Sequence, residues 1–75
     1  MTAGEILERL AVLRIKPANG LCYVCPDPTN GIYIFAWNKT QAKNWQTKLE
    51  AKGCKVIYCH DNNATYLHVK NIEKL

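Results

Sequence analysis

The sequence predicts an α+β fold in the order αββαββ: a four-stranded, mainly antiparallel sheet with two helices on one face. Three observations lead there. Two stretches repeat apolar residues at helical spacing behind a capping residue. Two pairs of short β-rich runs flank turn-forming residues. The run Gly31-Ile32-Tyr33-Ile34-Phe35-Ala36-Trp37 is apolar after its glycine, yet its two sides differ in kind. Alternate residues of a strand point to opposite sides of a sheet. Ile32, Ile34 and Ala36 therefore share an aliphatic side, and Tyr33, Phe35 and Trp37 share an aromatic one.

The first helix is expected over residues 3–14. Thr2-Ala3-Gly4-Glu5 has the form of a capping box. Ile6, Leu7, Leu10, Ala11 and Leu13 supply the apolar stripe, and Pro17 with Asn19-Gly20 ends it. Residues 21–25 read as a strand, 26–30 as a Pro- and Asn-Gly-bearing turn, and 31–37 as the return strand. Pairing Cys25 with Gly31 sets Tyr23 opposite Tyr33 and Leu21 opposite Phe35.

A second helix follows, capped by Asn38 or Thr40, with Ala42, Trp45 and Leu49 as its stripe and Gly53 at its end. The last hairpin joins residues 54–59 to 64–70 across His60-Asp61-Asn62-Asn63. Pairing Cys59 with Ala64 sets Ile57 opposite Tyr66 and Lys55 opposite His68. Ile72 and Leu75 are candidate anchors for the tail.

Seventy-five residues, 48% of them hydrophobic, predict one folded domain over residues 1–75. No apolar run approaches the ~20 residues that span a bilayer. The start lacks the basic-then-apolar pattern of a secretory leader, so the expected address is the cytoplasm. The net charge of +4 is unevenly placed. Residues 1–37 balance, whereas residues 38–75 hold seven lysines (39, 43, 48, 52, 55, 70 and 74) against Glu50, Asp61 and Glu73. The second helix spreads its lysines over both flanks of its stripe, which suits snorkelling stems rather than one basic recognition surface.

Cysteines 22, 25, 54 and 59 raise metal binding. Residues three or five apart on a strand face opposite ways, so Cys22 with Cys25, and Cys54 with Cys59, do not make chelating pairs. No metal or cofactor is expected, and the cysteines read as free thiols of a reducing compartment. Catalysis has little support. The chain has no serine, His60 and Asp61 read as turn residues, and a chain this short has little room for a preorganised pocket.

The layout of residues 21–52 is similar to the strand-turn-strand-helix of integrase arm-binding DNA domains. That resemblance implies basic residues on the reading strands, and residues 21–25 and 31–37 carry none.

What remains is the aromatic side of the sheet. The expected contact residues are Tyr23, Tyr33, Phe35, Trp37, Ile57, Tyr66 and His68, and a monomer rarely leaves so large an apolar patch in water. The reading is a small non-enzymatic module of adaptor, regulator or inhibitor type. It contacts a protein partner, or a second copy as a homodimer, and takes no membrane or small-molecule substrate. The alternative is single-stranded nucleic acid stacked on the same rings, with Lys39, Lys55 and Lys70 tracking phosphates.

Overall fold

The computed structural model describes residues 2–18, 24–27 and 31–75, with 24–27 described as backbone only. Leu21, Cys22, Tyr23, the Asn19-Gly20 turn and residues 28–30 lie outside the described residues. The elements are α1 (Ala3–Val12), β1 (Val24–Asp27), β2 (Gly31–Ala36), α2 (Lys39–Ala51), β3 (Lys55–Asp61) and β4 (Ala64–Lys70). A 3-10 turn, Ile72–Lys74, follows.

The sheet departs from the expected four-stranded, mainly antiparallel arrangement of two matched hairpins. Its body is three long antiparallel strands in the order β2-β4-β3, pairing six and seven residues at each seam. Val24–Asp27 adds only a four-residue antiparallel edge beside β2. Pro26 explains why this strand belongs at an edge, since proline has no N–H to give a ladder. The fold remains a small α+β one.

Both hairpins pair two residues away from the expected register. Asp27, not Cys25, faces Gly31, and Asp61, not Cys59, faces Ala64. In the second hairpin the cause lies in the turn. Asn62 and Asn63 both take positive φ, 49° and 65°, as in the two-residue turn whose twist matches a hairpin. His60 and Asp61 are thereby released from the loop into β3. A shift of two residues leaves every side chain on its expected side, whereas a shift of one would have reversed them all.

One side of the sheet carries the core. Ile32, Ile34 and Ala36 of β2, Val56 of β3 and Leu67 and Val69 of β4 pack against Ile6 and Leu10 of α1 and Ala42, Trp45 and Leu49 of α2. Each helix is opened by its cap: the Glu5 amide donates to Thr2 Oγ1 at 3.2 Å, and the Gln41 amide to Asn38 Oδ1 at 2.8 Å. Both close in the same way. In α1 the Ile15 amide donates to the Leu10 carbonyl and the Arg14 amide to that of Ala11; in α2 Cys54 and Gly53 donate to Leu49 and Glu50. This is the Schellman closure, which needs a left-handed residue after the cap. Gly53 supplies it at φ 98°, and Arg14 at φ 60°. The helix therefore stops at Val12 rather than at residue 14. The closure turns Ile15 inward, where it and Pro17 are buried.

Candidate functional site

The side of the sheet away from the helices carries the expected aromatic residues. β2 and β4 pair Tyr33 with His68 and Phe35 with Tyr66, and β3 sets Ile57 beside His68 and Cys59 beside Tyr66. The rings form one connected row. Tyr33 and His68 stack with centroids 4.3 Å apart and planes 15° apart, Phe35 and Tyr66 at 5.3 Å and 22°. Tyr33 meets Tyr66 edge-on at 6.1 Å. All four are half-buried, and Ile57 is 40% exposed beside them.

The geometry fixes how the rings stand. Neighbouring strands are about 4.8 Å apart, so rings stacked face to face across that gap must rise from the sheet. Each stacked ring spends one π face on its neighbour and turns an edge outward. Bases lying flat on a sheet need the opposite arrangement, with ring faces turned to solvent.

The other expected residues are dispersed. Trp37 lies beyond the end of β2, is 65% exposed, and donates its amide to Gln41 Oε1 at 2.9 Å. Lys55 and Lys70 are brought together, directly opposite one another at one end of the open face. Lys39 starts α2, in the layer on the other side, and does not join them. Tyr23 lies outside the described residues. The ring stacking could not be read from neighbouring residues, because it depends on the β2–β4 pairing, and those strands are not adjacent in the chain.

The thiols are separated too. Cys54 is buried in the core with its Sγ 3.7 Å from the Asn71 carbonyl, while Cys59 sits on the open face; both are free. Burial, reinforced by the negative charge of Glu73, raises the Cys54 thiol pKa above its ordinary value of 9.0. The Tyr66 hydroxyl is also shifted upward, first by the charge of Cys59 across the ladder. Among the described residues no three His, Cys, Asp or Glu side chains converge as metal ligands, and no helix is long and apolar enough to cross a membrane. A cleft of about 90 Å³ between Arg9, Val12, Leu13, Lys52 and Leu75 holds two cations and no acid–base pair.

These features define a small α+β chain with an aromatic row on an open sheet face. No family model matches the chain, and neither a curated protein nor a solved structure is measurably similar to it.

Proposed function

We propose that this chain is a non-enzymatic binding module of the cytoplasm that docks a protein through Tyr33, Phe35, Ile57, Tyr66 and His68. The observation that carries the reading is the upright ring row. Edges and aliphatic side chains form a rough apolar surface suited to another protein's side chains, where aromatic residues dominate contact energy. The alternative, single-stranded nucleic acid, loses support because each stacked ring already has one π face engaged by its neighbour and Lys39 is remote. The facing pair of Lys55 and Lys70 favours a partner with a carboxylate beside its apolar contact, since like charges directly opposite oppose each other. The free thiols Cys54 and Cys59 fit a reducing compartment.

The test places a photoreactive phenylalanine analogue at position 66 and irradiates cells that make the protein. A discrete protein adduct is expected, lost on Phe35→Ala and absent when the analogue replaces Glu8 on α1. Phe35→Ala should lower stability only modestly, whereas Ile34→Ala, a core truncation, should cost about 2–5 kcal/mol. An adduct to nucleic acid, or equal loss of folding and crosslinking in Phe35→Ala, would overturn the reading.

A further inference from the structure

The two edges of the sheet are guarded differently. β1, four residues long among the described residues, contains Pro26, a common device against edge-to-edge pairing. β3 is seven residues long, has neither proline nor bulge, and among the described residues pairs only with β4. The two-residue turn settles which of its backbone groups look outward. The pair that flanks such a turn is hydrogen-bonded, and hydrogen-bonded pairs alternate along an antiparallel ladder. Lys55, Ile57, Cys59 and Asp61 therefore point their N–H and C=O groups at β4. Val56, Tyr58 and His60 point theirs at the open edge.

The sequence of that edge, Lys55-Val56-Ile57-Tyr58-Cys59-His60-Asp61, begins with a cation and ends with an anion. We propose that β3 pairs antiparallel with β3 of a second copy about a two-fold axis at Tyr58, making one sheet of the two. In this register Val56 meets His60 of the second copy, Tyr58 meets its equivalent, and His60 meets Val56. All three are hydrogen-bonded pairs made from the groups already turned outward. The intervening close pairs set Lys55 against Asp61 and Ile57 against Cys59. Both ends of the seam are thus charge-matched, and the exposed Ile57 is covered from the side. A parallel arrangement in the same register would instead oppose lysine to lysine and aspartate to aspartate. Lys43, whose Nζ lies 5.5 Å from the centroid of the Tyr58 ring, is the like charge carried toward its counterpart. The proposal uses the strand edge and does not rest on the docking reading of the face, although it would join two such faces side by side.

Sedimentation equilibrium across a concentration series tests it. The wild-type chain is expected to dimerise. Lys55→Glu should weaken the dimer roughly tenfold or more, because it sets carboxylate against carboxylate at both ends of the seam. It should leave the subunit folded, since it also replaces the Lys55–Lys70 opposition by an attraction. The double variant Lys55→Glu/Asp61→Lys should recover wild-type affinity to within about threefold, and Lys43→Gln should tighten the dimer. Amide exchange supplies the backbone readout. The Val56, Tyr58 and His60 amides should gain protection as concentration rises, while those of Ile57 and Cys59 are protected throughout. A chain that stays monomeric at every concentration overturns the proposal. So does a dimer insensitive to both charge reversals, or one abolished by Phe35→Ala with the edge amides unchanged, which would place the contact on the face.

Discussion

Lys48 of α2 donates its ammonium to the Leu13 carbonyl at 3.0 Å, joining two helices through residues 35 apart in the chain. Leu13 is the C-cap of α1, where the helix carbonyls lack partners and the dipole is negative. The lysine therefore serves as a tertiary cap. Lys48→Met keeps the stem and removes the donor, and should cost about 0.5–1 kcal/mol. Urea titration at low and high salt checks this, the difference between the two proteins shrinking as salt rises. A loss unaffected by salt would assign Lys48 a packing role instead.

The two Schellman closures make a natural experiment. Arg14 and Gly53 occupy the same position after their helices, and both have positive φ. An L-residue with a side chain pays roughly 1–2 kcal/mol there, and glycine regains part of that against its greater unfolded freedom. Arg14→Gly should therefore stabilise the protein by about 0.5–1 kcal/mol. Gly53→Ala should destabilise it by about 1–2 kcal/mol, through backbone strain rather than crowding, since the nearest atoms an added Cβ would meet are those of the Lys74 side chain, at an ordinary 3.6–3.8 Å. Thermal melts of both variants decide the matter.

These relationships mark where sequence reasoning reached and where it stopped. The period-two alternation of Ile32 and Ile34 with Tyr33 and Phe35 is written in neighbouring residues, so the core side and the ring side could be separated in advance. The caps Thr2 and Asn38 were legible for the same reason. Register was not, because it depends on whether Asn62 and Asn63 accept positive φ, and their side chains permit either answer. Nor does an arginine advertise a left-handed closure, so the burial of Ile15 behind Arg14 was missed. Strand bounds suffered from the same blindness to turns: Pro26 and Asp27 read as turn residues, yet they pair with Ile32 and Gly31 in β1.

Tyr58 poses a problem of a different kind. Its hydroxyl is buried and has no hydrogen-bond partner among the described residues, although its ring lies under the Lys43 ammonium. A buried hydroxyl that makes no bond carries its desolvation penalty with nothing in return. Tyr58→Phe should thus be neutral or stabilising by up to about 1 kcal/mol, whereas Tyr58→Ala should be clearly destabilising. Chemical denaturation measures both; a substantial loss in Tyr58→Phe would reveal an acceptor for that hydroxyl.

The contrast between Cys54 and Cys59 sets an expectation for alkaline solution. Folding raises the Cys54 pKa, by burial first and Glu73 second, so the native chain keeps a proton that the unfolded chain releases near pH 9.0. The unfolded state then binds fewer protons, and stability falls as pH rises. The contribution is complete below that pH and disappears as the pH climbs through the raised native value. Cys54→Ala should flatten this alkaline decline while costing some core packing at neutral pH. Alkylation by iodoacetamide reads the same difference kinetically. Cys59 on the open face should react first, and Cys54 only at the rate at which the core opens. If the two thiols were modified together in native buffer, Cys54 could not be closed off in the core as its burial beside Asn71 requires.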